Sequence, residues 1–309
     1  DVITIENYVV DNVAPYASTD TVTNTVSISF DIKNNGDKPV KWAKVNFFDT
    51  PGFEVDSNNL DCLEFGSKIN KINDRSCGFG EIGSVKDNII DSLDTRSVKL
   101  KLKTQKGISS PAPFTVSFSV TYRYGSVQQA NTYFFSGERT AIIPVIDSNF
   151  KKEPSTKFSQ SNPTTGPVVF DILPSLEREK VVDGKTIKEY WGVVDRAFQT
   201  KFIMKKVVSE GTLKDIPPST SDCRDANKVE GCIQIQLIHL NIVGAGKCDF
   251  QDNRATLIVN EKNKTLVCSF TPNAQGGFAS EFTGTITIQY NYDYEIVRKQ
   301  NFVVYPAIS

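Results

Sequence analysis

One stretch of alternating apolar and polar residues occurs twice in this chain and limits what the chain can fold into. Residues 114–124 read FTVSFSVTYRY and residues 282–292 read FTGTITIQYNY, and the two copies align without a gap. Aromatic and β-branched residues recur at every second position, which is the period of a strand with one buried face. Each copy is followed by a polar break and a second apolar run, at 131–135 and 301–305. Two such copies far apart predict two domains of one architecture.

The rest of the chain shows the same pattern of strands and turns. Runs such as 3–10 and 22–33 are rich in Val, Ile, Thr, Phe and Tyr, and turn residues such as Asn34-Asn35-Gly36 separate them. Asp183-Gly184 predicts a two-residue hairpin between two later strands. The sequence therefore predicts an all-β protein made of two tandem Ig-like antiparallel β-sandwich domains. The predicted division is a first domain at 1–146, a linker rich in Pro, Ser, Thr and Lys at 147–166, and a second domain at 167–309.

The segment SISFDIKNNGDKPVKWAKVNFFD, residues 27–49, resembles the start of the Ig-like modules called CARDB-type, which occur in surface proteins of bacteria and archaea. In those modules an alternating strand precedes an Asn/Gly turn, and a second strand follows. The residues that carry the resemblance are Phe30, Ile32, Asn34, Asn35, Gly36, Val45 and Phe47. The resemblance implies a seven-strand sandwich used in adhesion or assembly, and it supplies no catalytic residue.

Two segments depart from the alternating pattern. Residues 56–96 are polar with little strand signal, which predicts a long irregular loop with a short helix near 87–93. Residues 209–232 predict a second long loop. Irregular loops on a rigid β-scaffold are typical recognition surfaces.

The six cysteines fall in close sequential pairs. Proximity predicts three local disulfides, Cys62–Cys77, Cys223–Cys232 and Cys248–Cys268, although six thiols also allow other pairings. Each bridge would stabilise the fold by about 2–3 kcal/mol by restricting the unfolded chain. Disulfides persist in oxidising compartments, so we expect an extracellular or cell-surface location. Asn263 begins the sequon Asn263-Lys264-Thr265 and is a candidate glycosylation site, with chance occurrence as an equal explanation.

Composition excludes several classes of partner. The formal net charge is −1, so no overall field attracts nucleic acid or an anionic membrane. No apolar run has the length that a membrane-spanning helix needs. The chain begins at Asp1 without Met, and we expect a mature form whose signal peptide has been removed.

The sequence offers little chemistry. Its one histidine, His239, lies in the alternating run 233–243, and no G-x-S-x-G motif accompanies it. The cysteine spacings lack the C-x2-C pairs of structural zinc sites, and no phosphate-binding motif follows a strand and opens a helix. We therefore expect neither an enzyme nor a cofactor. Five tyrosines continue an apolar face, which favours core packing over a binding surface; they are Tyr122, Tyr124, Tyr290, Tyr292 and Tyr294.

These observations lead to the hypothesis of a secreted structural subunit that assembles with copies of itself into a filament or surface layer. The first strand could leave its own domain and complete the sheet of the next subunit. Its candidate donor residues are Ile3, Ile5, Tyr8 and Val10. The simpler alternative for this strand is pairing within its own domain. The alternatives for the whole chain are an adhesin or receptor-like binding module and a viral coat or spike protein.

Overall fold

The fold is taken from a computed structural model. The structure describes residues 2–55, 58–64, 67–68, 71–80, 89–135, 159–160, 166–174, 177–182, 184–193, 197–207, 210–214, 229–240, 242–249, 254–258, 263–272 and 281–308. These residues form strands and connecting turns without a helix, and the predicted all-β class is confirmed. The strands are β1 Ile3–Val10, β2 Thr25–Asn34, β3 Trp42–Asp49, β4 Phe53–Glu54, β5 Leu60–Glu64, β6 Ser67–Lys68, β7 Lys71–Asn73, β8 Ser76–Gly80, β9 Thr95–Thr104, β10 Ala112–Phe135, β11 Ser159–Gln160, β12 Val168–Pro174, β13 Glu177–Val182, β14 Lys185–Val193, β15 Phe198–Lys206, β16 Thr212–Lys214, β17 Val229–Leu240, β18 Ile242–Cys248, β19 Arg254–Ile258, β20 Asn263–Pro272 and β21 Glu281–Val304.

The chain divides into two compact units that are not consecutive in sequence. Unit 1 contains Asp1–Gly125, Val208–Lys214 and Tyr292–Ser309, and unit 2 contains the remaining segments, Ser126–Val207 and Asp215–Asn291. The boundaries fall inside β10 and β21, because each of these strands runs from one unit into the other. This grouping differs from the predicted sequential division. The predicted linker at 147–166 lies outside the described residues except for Ser159–Gln160 and Gly166.

Unit 1 is built from two groups of paired strands. One sheet has the order β1-β2-β9-β5-β6, with β4 also paired to β9, and its ladders are antiparallel. In the other group β7 pairs with β8, β8 with β3, and β3 with the first part of β10. Strand β2 alternates between buried and half-buried residues along its whole length. Because successive side chains point to opposite faces, this strand buries only one of its faces.

The core of unit 1 lies between these two groups of strands. The Phe30 ring of β2 stacks on the Phe118 ring of β10 with 4.6 Å between centroids, and Phe47 of β3 lies 5.3 Å from Phe118. A disulfide between Cys62 of β5 and Cys77 of β8 also connects the two groups, with 5.7 Å between the Cα atoms. The packing and the disulfide together define a β-sandwich.

Unit 2 contains a four-stranded sheet of order β12-β15-β20-β18. It packs on the part of β21 that belongs to this unit, because the Phe170 and Tyr290 rings lie 4.7 Å apart and the Tyr290 hydroxyl donates to the Val168 carbonyl at 3.2 Å. Cys248 and Cys268 lie opposite each other on β18 and β20 and form a disulfide. The predicted hairpin at Gly184 is also present, since β13 and β14 pair antiparallel on either side of it.

Strands β10 and β21 contain the two copies of the repeated stretch. Within unit 1 the Thr115 hydroxyl donates to the Asn301 side-chain carbonyl at 2.9 Å, and the rings of Tyr124 and Tyr292 lie 6.2 Å apart. These contacts pair the strands in opposite directions. Tyr124 and Tyr292 are also equivalent positions of the repeat. The prediction that the tyrosines belong to the core is confirmed, because all five are at most 1% exposed.

An ion pair links β10 to β21 on the other face of this ladder. The Arg123 guanidinium donates two hydrogen bonds to the Asp293 carboxylate, Nε to Oδ1 at 2.6 Å and Nη2 to Oδ2 at 2.9 Å. The same guanidinium lies 5.4 Å above the Trp42 ring. Burial raises the pKa of Asp293 although Arg123 acts to lower it. Desolvation of this carboxylate therefore outweighs the attraction of the guanidinium, which offsets only part of it.

Two predictions for the segment 56–96 are wrong. The part of it that the structure describes contains β5, β7 and β8 instead of an irregular loop, because short runs there pair with β9 and β3. The predicted helix near 87–93 is also absent from its described residues. Ile90 bridges to Val40, and the Leu93 amide donates to the Asn34 carbonyl at 2.7 Å. Backbone partners on neighbouring strands take the hydrogen bonds that a helix would make internally.

We predict that Arg123→Met destabilises the protein by about 3–5 kcal/mol at neutral pH, because it leaves the Asp293 carboxylate buried without its cation. The double variant Arg123→Met/Asp293→Asn should lose less of its free energy of unfolding than the single variant. Because the pKa of Asp293 is raised in the fold, part of the loss in Arg123→Met should be recovered as the pH falls through that pKa. Denaturant unfolding at neutral and acidic pH measures both effects. A double variant as unstable as the single one would assign the loss to packing on Trp42.

Candidate assembly site at the first strand

Strand β1 lies at the edge of its sheet. It pairs antiparallel with β2, from Ile3 opposite Asn34 to Val10 opposite Ile28, and among the described residues no other strand pairs with it. The structure therefore places the predicted donor strand on its own unit. An edge strand has one side of its backbone open to another chain.

A β-bulge at Asn7 divides β1. Asn7 has a φ of 50°, and the register shifts by one residue between Glu6 and Val9. Asparagine tolerates this left-handed conformation better than most residues. Its side-chain amide donates to the Asp31 carboxylate of β2 at 2.6 Å. The bulge shifts the alternation by one residue, so that Ile3 and Ile5 before it face the same side of the sheet as Tyr8 and Val10 after it.

The four predicted donor residues share the face of β1 that points to the buried side of β2. Ile3 is fully buried, Ile5 and Val10 are half-buried, and Tyr8 is 39% exposed. The Tyr8 ring stacks at 6.2 Å on both Phe30 and Phe118, at the border of the core. Partial burial raises the pKa of the Tyr8 hydroxyl. The apolar attachment of β1 is therefore deepest at Ile3 and shallowest at Tyr8.

A second tyrosine lies under the beginning of β1. Tyr122 of β10 is fully buried. Burial raises its pKa well above the ordinary value, the nearby Tyr294 adds to the increase, and the backbone of Ile3 acts in the opposite direction. The Tyr122 hydroxyl therefore stays protonated beside the strand that covers it.

Polar contacts attach the outer side of β1 to β2 and to the turn after it. The Asn35 amide donates to the Val2 carbonyl at 2.7 Å, and the Asn35 side chain donates to the Thr4 hydroxyl at 2.7 Å. Lys33 and Glu6 form an ion pair at 3.6 Å. Both members of that pair are exposed enough for water to compete, so it contributes little.

The chain after β1 is attached at a different place. The Val303 amide donates to the Val13 carbonyl at 3.0 Å, and the Tyr305 amide donates to the Pro15 carbonyl at 2.8 Å. The Ala17 amide completes the contact by donating to the Tyr305 carbonyl at 2.7 Å. Residues 13–17 are thus paired with the end of β21, whereas β1 pairs with β2; the Tyr8 hydroxyl of β1 also donates to the Gln300 side-chain carbonyl of β21 at 3.1 Å. The backbone partner of the chain therefore changes from β2 to β21 between Asp11 and Val13.

The remaining predicted site residues lie elsewhere. Two predicted disulfides are present, Cys62–Cys77 in unit 1 and Cys248–Cys268 in unit 2. Cys223 lies outside the described residues, so its pairing with Cys232 stays a prediction. Asn263 is exposed at the start of β20, and its glycosylation also stays a prediction. His239 lies in β17, opposite Ile286 of β21.

Sequence reasoning did not identify three parts of this site: Asn7, the side-chain contact of Asn35, and the attachment at residues 13–17. The break in alternation between Ile5 and Tyr8 was the available signal for the bulge. Contacts between residues 13–17 and the far end of the chain leave no local pattern. Among the described residues, no three His, Cys, Asp or Glu side chains are grouped as metal ligands, and no helix is long and apolar enough to cross a membrane.

Comparisons with known proteins add little. No protein-family model matches the chain, and no curated protein does. Two crystal structures of BcpA, the major pilin subunit of Bacillus cereus, are similar to it at a low level. A point variant matches with a TM-score of 0.29 and 9% identity, over 71% of this chain and 62% of that chain. The other matches with a TM-score of 0.27 and 8% identity over the same shares. The chain thus spans less than two thirds of that pilin, and overlap at this level carries no functional argument.

We predict that the Asn7 bulge protects the free edge of β1 from pairing with other chains, since bulges interrupt the regular ladder that an added strand needs. Deletion of Asn7 restores a regular strand and keeps the same four residues inward. It should raise concentration-dependent association above that of the wild type, measured by light scattering at equal protein concentration. Asn7→Gly is the matched control, because glycine keeps the positive φ. The prediction is wrong if both variants associate alike or neither does.

Proposed function

We propose that this chain is a secreted, non-catalytic structural subunit that forms an extracellular filament by exchanging its first strand between copies. One observation carries the proposal. Strand β1 is an N-terminal edge strand whose attachment to β2 is separate from that of the residues that follow it.

The contacts of β1 favour exchange over simple loss. Removing β1 exposes the apolar faces of Phe30 and Phe118. It also takes away the Val2 carbonyl that accepts the hydrogen bond of the Asn35 backbone amide. Fully burying one such side chain is worth about 1.5–3 kcal/mol, so an empty site is costly. The first strand of a second copy restores every one of these contacts, because it has the same sequence. The difference in free energy between a closed subunit and an exchanged one is therefore small.

The geometry of exchange determines what kind of assembly results. Each copy has one strand to donate and one site to receive a strand. Such a contact is head-to-tail, and it generates an open filament unless the rotation closes a ring. Residues 13–17 stay on β21 of the donor, so the hinge consists of the residues between Val10 and Val13.

The binding-module alternative loses one of its two candidate loops. The described part of 56–96 is mostly paired strand, and most of 209–232 lies outside the described residues. An extracellular location agrees with two disulfides, because such bonds persist in oxidising compartments. Copies of the chain itself are the proposed partners.

The test locks β1 to its own β2 with a new disulfide. Val9 and Ser29 are opposite each other in the ladder, and such partners lie about 4.5–5.5 Å apart between Cα atoms, within disulfide reach. We predict that the wild-type protein and the single variant Val9→Cys form filaments in negative-stain images. The oxidised double variant Val9→Cys/Ser29→Cys should remain monomeric.

The outcomes separate the mechanism from the function. Filaments from the locked variant would show that strand exchange is wrong and leave the filament role intact. A wild-type protein that stays monomeric at all concentrations would contradict the filament role and favour the binding module.

A further inference from the structure

The turn after β2 contains the one Asn-Gly step of the chain, Asn35-Gly36. Such a step is chemically labile. The glycine nitrogen attacks the asparagine Cγ and forms a five-membered succinimide, and the side-chain nitrogen leaves as ammonia. Water then opens the ring to aspartate or isoaspartate. Glycine permits this attack because it lacks a Cβ and moves more freely than other residues.

The fold requires the glycine that creates this lability. A Cβ atom at position 36 would lie 2.7 Å from the Tyr124 hydroxyl oxygen and 3.0 Å from Asn34 Oδ1. Tyr124 cannot yield easily, because its hydroxyl donates to Asp37 at 2.7 Å and accepts from the Lys38 amide at 3.2 Å. The close packing at this turn therefore requires glycine at position 36, directly after the exposed Asn35.

The attacking nitrogen is restrained by a buried side chain. The Gly36 amide donates to Asn34 Oδ1 at 2.9 Å. Asn34 is itself fully buried, and its side-chain nitrogen donates to the carbonyls of Lys38 and Ile90 at 2.8 and 2.9 Å. The glycine N–H must break this hydrogen bond and lose its proton before it can attack.

The atom under attack is restrained by β1. The Asn35 backbone amide donates to the Val2 carbonyl at 2.7 Å, and its side-chain amide donates to Thr4 Oγ1 at 2.7 Å. Together these two contacts fix the Asn35 backbone and the direction of its side chain. Both partners belong to the segment that the second attachment at 13–17 leaves free to separate.

We propose that Asn35 is a site of spontaneous deamidation whose rate is set by the docking of β1. Deamidation is slow while β1 lies on β2 and faster when β1 has left. The product carboxylate has no N–H to donate to Thr4 and adds a negative charge near Glu6. Deamidation in turn weakens the hold on β1, so an aged chain releases its first strand more readily. The proposal does not depend on filament formation.

The experiment follows Asn35 by peptide mapping of the full-length protein after incubation in mildly alkaline buffer. Trypsin gives a peptide of residues 34–41, since Lys38 precedes Pro39, and fragment spectra separate Asn34 from Asn35. Thr4→Val removes the acceptor of the Asn35 side chain. Thr25→Val makes the same change on β2 and is the matched control. Loss of one or two hydrogen bonds of ordinary strength corresponds to about a two- to tenfold faster reaction.

We expect deamidation at Asn35 to be slowest in the wild type and in Thr25→Val, faster in Thr4→Val, and fastest in the urea-unfolded chain. A chain lacking residues 1–12 should react faster than Thr4→Val, and an added peptide of residues 1–12 should slow it again. Equal rates in the folded and unfolded wild type would overturn the proposal. The proposal would also be overturned if the deamidation rate at Asn35 were the same in the wild type, in Thr4→Val and in the chain lacking residues 1–12. If either Thr4→Val or the truncated chain does not fold, the deamidation rate of the other variant decides.

Discussion

The contact between Phe30 and Phe118 is the interaction on which the proposed exchange of the first strand depends. These two rings stack at 4.6 Å and join the two layers of unit 1, with Phe47 beside them. The Tyr8 ring of β1 stacks on both from 6.2 Å, so it covers a contact that is already complete. At Tyr8 the strand covers the core, whereas at Ile3 its side chain is part of the core.

The N-terminal segment is attached at two places in unit 1, and Tyr8 at the first of them also contacts Phe118 of β10 and Gln300 of β21. Residues 3–10 extend the sheet of β2, whereas residues 13–17 pair with the end of β21. Losing the first contact does not require losing the second. The Asn7 bulge, the Asn35 turn and the short hinge before Val13 all act on the same strand. We predict that the bulge protects the free edge of this strand, and we propose that the turn holds its beginning and that the hinge allows its departure.

Much of the fold could be predicted from the sequence, since alternation and turn residues are local signals. The repeated stretch predicted strands at 114–124 and 282–292 and the burial of the tyrosines, but each copy continues through the expected polar break as one long strand, β10 or β21. Asp183-Gly184 predicted the hairpin of β13 and β14. The strands in 56–96 could not be predicted, because their runs are short and their partners β3 and β9 are distant in sequence. The grouping of Tyr292–Ser309 with the N-terminal unit was missed for the same reason. The candidate site was recognised as a strand, but its attachments depend on contacts across the whole chain.

Native-state hydrogen exchange tests most directly whether β1 is separable. Opening free energies can be compared between the amides of β1 that pair with β2 and the amides of β2 that pair with β9. We predict that the β1 amides exchange through a local opening of lower free energy, with little dependence on denaturant. The amides between β2 and β9 should exchange only by global unfolding. If β1 opens with the same free energy and the same denaturant dependence as β2, the strand is an integral part of the core and its exchange between copies is contradicted.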